Sequence, residues 1–200
     1  HPEEGIPGVE LIFTRLHAGA KFSNQDYKFS GGLHGVGASV VNALSEWATV
    51  EVRKDGQVYS QSYKRGVPNG GVDAIGTTTE RGTTTHFKPD GEIFPSTELS
   101  FESLQSRLRE LSFLNPGLKI VLIDEMSGKR SEYIFAGGLS SFCDYLNEGR
   151  TRLHSEPILI SGGKNSAGVN EAELKCGLLW TDSYQENIHS FVNNINTIEG

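Results

Sequence analysis

The sequence is poor in cysteine and methionine, and no apolar run approaches the ~18 residues that a membrane-spanning helix needs. Its two cysteines, Cys143 and Cys176, are too few and too far apart for a disulfide framework or a zinc site. Six histidines occur without any metal-binding spacing, and there is no signal peptide. We therefore expect reduced thiols, no structural metal and a cytoplasmic location.

The sequence also lacks an excess of positive charge. Lysine and arginine total 18 against 25 acidic residues, which gives a net charge of -7. Strong binding to a nucleic-acid backbone depends on lysine and arginine, so the chain itself is not expected to be the main DNA-binding surface. The chain begins at His1 and its only methionine is Met126, which favours an internal piece of a longer protein.

What the sequence does have is glycine concentrated in one place. Four glycines occur within residues 31–37, and a small, apolar segment typical of a helix follows from about Ala38. The first amides of such a helix have no intrahelical acceptor, and glycine lets a ligand approach the backbone, so the pattern predicts a phosphate-binding loop. A flexible turn before a packed helix is the alternative.

The spacing of the glycines separates this loop from two common phosphate-binding motifs. Gly32-x-x-Gly35-x-Gly37 has no following lysine, as a P-loop requires, and reverses the order of the dinucleotide-binding fingerprint. With its flanking residues, the loop resembles the B subunits of bacterial type II topoisomerases, DNA gyrase and topoisomerase IV. The segments that carry the resemblance are residues 1–6, His17 to Phe22, Tyr27 to Ser45, Gly82-Thr83 and Asn193 to Thr197.

Hydrophobic periodicity and turn residues predict interleaved helices and hairpins, hence an α+β fold with helices on one face of a mostly antiparallel sheet. The resemblance implies the two-layer sandwich of the GHKL (Bergerat-type) ATPases. It also implies that residues 1–150 are an ATPase domain without its N-terminal part, and that residues 151–200 begin a truncated transducer domain. Predicted helices include one carrying Val9, Ile12, Phe13 and Leu16, one over residues 38–44, and one capped by Ser100 with an apolar face of Phe101, Leu104, Leu108 and Leu111. Predicted strands include a hairpin around Asp55-Gly56 and residues 83–87, 172–180 and 187–195, and residues 150–157 are predicted to be a linker.

The resemblance implies an ATP site in which the backbone matters more than the side chains. Its glycine loop would present backbone amides to the β- and γ-phosphates through Gly32, Leu33, His34, Gly35, Val36 and Gly37. Lys21 would reach the phosphates, Tyr27 would lie in the lid close to the nucleotide, and Thr83 would face the adenine. Without the resemblance, Lys21 reads as a solvated lysine, Tyr27 as a packing residue and Thr83 as an ordinary strand residue.

Other parts of the family's site have no counterpart in this sequence. The general-base glutamate, the asparagine that holds Mg²⁺ and the aspartate that reads adenine precede residue 1 in the family, and a further phosphate-binding lysine follows Gly200. We therefore expect no catalytic residue and no metal ligand in this chain. Loss of a general base typically costs about 10²–10⁴-fold in rate, so the chain alone should not hydrolyse ATP.

The resemblance implies that the full-length protein is a DNA-acting machine. It would bind ATP and Mg²⁺, dimerise through its ATPase domains, and act on double-stranded DNA with a gyrase A subunit in a heterotetramer of two A and two B subunits. The segments Arg107 to Asn115 and Phe191 to Thr197 look more like gyrase than topoisomerase IV. The alternatives are topoisomerase IV, another GHKL class such as a chaperone or mismatch-repair ATPase, and a non-enzymatic nucleotide-sensing module.

Overall fold

The computed structural model describes residues 4–18, 35–163 and 173–197, and the chain divides into two compact units, His1–Glu98 and Leu99–Gly200. All described strand pairs are antiparallel, which confirms the predicted α+β class. The first unit contains α1 (Gly8–Thr14), α2 (Gly37–Ala43), β1 (Ser45–Lys54), β2 (Gln57–Lys64), β3 (Val67–Pro68), β4 (Asp73–Thr77) and β5 (Gly82–Pro89). The second contains α3 (Phe101–Leu114), β6 (Ile120–Asp124), β7 (Lys129–Tyr133), α4 (Leu139–Leu146), β8 (Ile158–Gly163), β9 (Glu173–Leu178), β10 (Phe191–Val192) and β11 (Ile195–Asn196).

The first unit is built on one sheet in the order β3-β2-β1-β5, with β4 paired to β2. Strands β1 and β2 form the hairpin that the sequence predicts around Asp55-Gly56. Both turn residues have positive φ, 53° and 79°, as a two-residue hairpin turn requires. The predicted strand at residues 83–87 is confirmed as β5, which pairs with β1 along its length.

Helices α1 and α2 lie on one face of this sheet. Phe13 of α1 stacks on Tyr63 of β2 with ring centroids 5.6 Å apart, and these two rings form a buried cluster with Ala48 and Val50 of β1. The predicted α1 was too long. Its apolar spacing extends to Leu16, but the helix ends at Thr14 and the Leu16 side chain is 64% exposed.

The second unit has an aromatic centre. Phe113 of α3 stacks on Phe135 at 3.8 Å and on Phe142 of α4 at 5.1 Å between ring centroids. Ser100 caps α3 as predicted, because its side chain accepts a hydrogen bond from the Ser103 backbone N–H. The predicted apolar face of α3 is only partly buried, since Leu104 remains 37% exposed and the buried residues of the helix are Ser112 and Phe113.

The predicted strand over residues 187–195 is wrong. Asn193 and Asn194 have positive φ, 47° and 69°, and form the turn of a short hairpin between β10 and β11. Asparagine tolerates this left-handed conformation better than most residues, so the pair bends the chain back instead of lining a strand. Strand β9 lies within the predicted residues 172–180.

The predicted linker at residues 150–157 is paired with the chain that follows β9. The Leu153 N–H donates to the Trp180 carbonyl at 2.9 Å, and Arg152 forms a bridge with Thr181. The side chains of this stretch gave no strand pattern from which the pairing could be predicted, because the hydrogen bonds are made by backbone groups. Within residues 4–18, 35–163 and 173–197, none of the helices has the length and apolar character that crossing a membrane requires.

Candidate functional site

The end of the glycine loop leads directly into α2. Gly35 has φ of 60°, a conformation that glycine adopts without steric cost. Helical hydrogen bonding begins with the Val40 N–H, which donates to the Val36 carbonyl at 2.9 Å, and no side chain caps the helix start. The amides of the first turn therefore have no intrahelical acceptor.

The backbone at the start of α2 is open. A Cβ added to Gly37 would meet no atom within 4 Å, so the glycine is not required for packing against any described residue. The Ser39 hydroxyl donates to the Val36 carbonyl at 3.0 Å and ties the loop end to the first helical turn. This arrangement leaves room for an anion at uncapped amides.

Thr83 lies on β5, on the helix-bearing face of the sheet. Its cross-strand partner is Val52 of β1, which packs against the cluster of Phe13, Ala48, Val50 and Tyr63. Ala38, in the first turn of α2, packs against the same cluster. The structure thus places Thr83 and the start of α2 around one apolar cluster.

Strand β5 is exposed from Gly82 to Lys88. Phe87, which lies on the same face as Thr83, keeps 43% of its surface exposed. In contrast, Ala48 and Val50 of the neighbouring strand are each only 1% exposed. Among the described residues, the Thr83 side of the candidate site is therefore uncovered.

An ion-pair cluster connects the end of β5 to the end of α2. Arg65 contacts the Asp90 carboxylate through Nε at 2.7 Å and the Glu92 carboxylate through Nη2 at 2.5 Å. The Asp90 backbone N–H donates to the Leu44 carbonyl at 3.0 Å. The Glu92 backbone N–H and, after it, the Arg65 guanidinium hold the pKa of Asp90 below its usual range.

Tyr63 is the titratable side chain in the apolar cluster. Burial, and then the nearby Glu10 carboxylate, raise the pKa of its phenol far above the ordinary value. Its hydroxyl donates to Gln61 Oε1 at 2.7 Å. The phenol is therefore held neutral and has a structural role.

The structure describes four of the predicted site residues, Gly35, Val36, Gly37 and Thr83, and brings them to one face of the first unit. The other five, Lys21, Tyr27, Gly32, Leu33 and His34, lie outside the described residues. Within the described ranges, no three His, Cys, Asp or Glu side chains come together as a metal site would need.

Sequence reasoning gave no role to Asn42, although the residue is part of the segment that carries the resemblance. Its side chain is completely buried and bonds to two other elements of the first unit. No sequence signal pointed to this role, because both hydrogen-bond acceptors are distant along the chain.

A sequence profile of the DNA gyrase B family matches residues 138–200. Along the whole chain, the DNA gyrase B subunit of Halalkalibacterium halodurans is 50% identical and that of Borrelia hermsii is 47% identical; the chain covers 31% of each. The type 2 topoisomerase B subunit of Aquifex aeolicus is 48% identical over 100% of this chain and 25% of the relative. The chain thus spans less than a third of the length of these curated relatives.

The fold agrees with the sequence similarity. A solved structure, the 43K ATPase domain of Thermus thermophilus gyrase B in complex with an aminocoumarin, superposes with a TM-score of 0.79 and 35% identity. The match covers 98% of this chain and 48% of that one. With 47–50% identity along its whole length and this shared GHKL ATPase fold, the chain belongs to the DNA gyrase B family of type II topoisomerases.

Proposed function

We propose that this chain is the nucleotide-binding part of a gyrase-type B subunit, which uses ATP to drive the passage of one DNA duplex through another. The observation that carries the proposal is the similarity to gyrase B proteins along the whole chain, at 47–50% identity. The open glycine backbone at the start of α2 supports it, because a triphosphate needs backbone amides that are free and accessible.

In this proposal the helix side of the site binds the phosphates. The backbone amides of residues 32–37 receive the β- and γ-phosphate oxygens, and Lys21 adds a positive charge. Gly35 supports this role through its left-handed conformation, and Gly37 through the open space where a side chain would stand. Tyr27 is assigned to the nucleotide site by the family resemblance alone, since it lies outside the described residues.

The strand side of the site binds the base. The Thr83 hydroxyl bonds an adenine edge directly or through water. Its exposure on β5 supports this role, because a covered hydroxyl could not reach a ligand. The described part of this face is uncovered, and we expect further residues to complete the base pocket. We also expect the chain alone not to hydrolyse ATP, because the family's general-base glutamate has no counterpart in this sequence.

The finer assignments of the whole protein also belong to the proposal. The first is a requirement for Mg²⁺, whose protein ligand would be supplied by residues before His1. The second is assembly with a gyrase A subunit into a heterotetramer that acts on double-stranded DNA. The ATPase domains would dimerise when ATP binds. The net charge of -7 fits a chain whose DNA contacts are made mostly by other domains and by the partner protein.

The division of the chain into an ATPase domain and the start of a transducer domain remains a proposal, with the predicted boundary between residues 150 and 151. Within the second unit, α4 lies very close to β9, since a Cβ added to Gly177 would stand 2.8 Å from Cys143 Sγ. This packing links α4, which precedes the predicted boundary, to β9, which follows it, and the family match also begins before that boundary, at residue 138.

The test uses the full-length protein with its gyrase A partner, relaxed plasmid and Mg-ATP. We expect negative supercoils to accumulate only when ATP is present. Relaxation and decatenation without supercoiling would instead assign the topoisomerase IV activity. Failure to change DNA topology with a demonstrably active partner would overturn the enzymatic proposal and favour a nucleotide-sensing module.

A further inference from the structure

Asn42 is buried in a way that its neighbours are not. Its side chain has 0% exposure, whereas Val40 and Val41 of the same helix are 39% and 37% exposed. The most buried position of α2 is therefore occupied by a carboxamide, while apolar side chains stand at the surface. Burying a polar side chain is unfavourable unless its hydrogen bonds are made, so this placement needs a physical reason.

The Asn42 amide joins three elements of the first unit. Its Nδ2 donates to the Phe13 carbonyl at 3.0 Å and to the Gly66 carbonyl at 3.3 Å. The Phe13 carbonyl belongs to the last turn of α1, where backbone carbonyls have no intrahelical donor. Gly66 lies in the turn between β2 and β3, where an added Cβ would stand 3.2 Å from Ala43 Cα. One side chain thus fastens α2 to α1 and to the sheet.

The orientation of the amide follows from its partners. Both are carbonyl oxygens, which only accept, so the nitrogen of Asn42 must face them. Asn42 Oδ1 is buried and has no hydrogen-bond donor among the described residues.

The bonds of Asn42 continue to the glycine loop. Ser39 is three residues earlier and shares the buried face of α2 with Asn42, as residues three apart on a helix do. The Ser39 hydroxyl donates to the Val36 carbonyl, within the loop end. The end of α1 is therefore connected to the backbone of residues 35–37 through Asn42, one helical turn and Ser39.

We propose that Asn42 is a positioning residue for nucleotide binding: by fastening α2 to the end of α1, it fixes where the backbone amides of residues 35–37 stand. This inference rests on the proposed function, because those amides are the ones assigned to the phosphates. Removing the Asn42 donors lets α2 shift against α1. Binding of the phosphates weakens, while binding of the base, which depends on β5, does not.

The test compares two ligands on the full-length protein, a non-hydrolysable ATP analogue by calorimetry and adenosine by ligand-observed NMR. Asn42→Leu keeps the number and branching of the side-chain heavy atoms and removes both donors. We expect the variant to bind the ATP analogue at least about tenfold more weakly, while adenosine affinity changes by less than about twofold. Ser39→Ala is a milder change at the other end of the connection. It should also lower the ratio of ATP-analogue affinity to adenosine affinity, by a smaller factor.

Val50→Ala is the matched control, because it removes buried volume from the adjoining cluster without touching the bonds of α2. At a temperature well below its unfolding midpoint, it should leave the ratio of the two affinities unchanged. An unchanged ratio in both Asn42→Leu and Ser39→Ala, or an equal shift in Val50→Ala, would overturn the positioning role. A wild-type protein that binds neither ligand would instead contradict the proposed function.

Discussion

The helix side and the strand side of the candidate site are held in different ways. On the helix side, residues 35–37 lead into α2, which the buried Asn42 side chain bonds to the Phe13 carbonyl of α1, while Ser39 and Ser45 bond to the Val36 and Val41 carbonyls. On the strand side, Thr83 stands on a strand that is exposed from Gly82 to Lys88. The helix side is thus held by buried hydrogen bonds, whereas the described residues leave the strand side exposed.

The largest expected effect tests the helix side. Gly37→Ala places a methyl group in open space at the first residue of α2, so stability should stay the same or rise by up to about 1 kcal/mol. If phosphates approach this backbone, the same methyl group obstructs them at a cost of about 1–3 kcal/mol, or about 5- to 150-fold in affinity. Calorimetric titration of the full-length protein with a non-hydrolysable ATP analogue measures the loss.

The chain provides a matched control for this variant. Gly8 also begins a seven-residue helix, and a Cβ added there would likewise meet nothing within 4 Å. Gly8→Ala should therefore leave both ATP-analogue affinity and ATP-dependent supercoiling unchanged. Equal affinities for Gly37→Ala and the wild type would show that the ligand does not approach this backbone.

A smaller effect tests the strand side. Thr83→Val removes the hydroxyl at an exposed position, so stability should change by no more than about 0.5 kcal/mol. Loss of one hydrogen bond to the base should weaken ATP-analogue binding by about 0.5–1.5 kcal/mol, or roughly two- to tenfold. Adenosine should be affected by the same factor, unlike in Asn42→Leu.

The control for Thr83 is its neighbour on the opposite face of β5. Thr84 Oγ1 accepts a hydrogen bond from Arg53 Nη1 at 2.9 Å, and Thr84 lies opposite Glu51 in the sheet. Thr84→Val therefore removes a hydroxyl from the same strand without changing the helix-bearing face. Weaker nucleotide binding in Thr84→Val, with none in Thr83→Val, would place the ligand on the other face of the sheet.

Local sequence signals predicted the elements whose hydrogen bonds are local. The Asp55-Gly56 turn requires two positive φ values, and Ser100 bonds an amide three residues away, so neighbouring residues determine both features. The strand predicted over residues 187–195 failed because Asn193 and Asn194, between the apolar Val192 and Ile195, form a turn. Their conformation depends on β10 pairing with β11.

In the candidate site, too, residues in short motifs were predicted from the sequence, whereas a residue with distant partners was not. The glycine spacing and the resemblance identified residues 35–37 and Thr83, which are defined by short motifs. The role of Asn42 was not predictable, because its acceptors belong to Phe13, 29 positions away, and Gly66, 24 positions away. Such contacts exist only once α1, α2 and the sheet have come together.

The smallest expected effect is a difference between the end of β5 and α2 in how their stability depends on pH. The Asp90 carboxylate accepts from the Glu92 N–H at 2.9 Å and contacts Arg65, and these partners lower its pKa in the folded state. A carboxyl with a lowered folded pKa stabilises the protein above its unfolded pKa of about 3.9 and loses this contribution as the pH falls through the folded pKa. Acidification below about pH 4 should therefore loosen the end of β5 before it affects α2.

Hydrogen exchange on the full-length protein measures this difference. The Phe94 amide donates to the Asp90 carbonyl and reports on the end of β5, whereas the Val40 amide donates to the Val36 carbonyl and reports on the start of α2. Protection at Phe94 should fall below about pH 4 while protection at Val40 persists, and Asp90→Asn should remove the pH dependence at Phe94. Equal loss of protection at both amides would mean that α2 and the end of β5 open as one unit, so the helix side would not be held independently of the strand side.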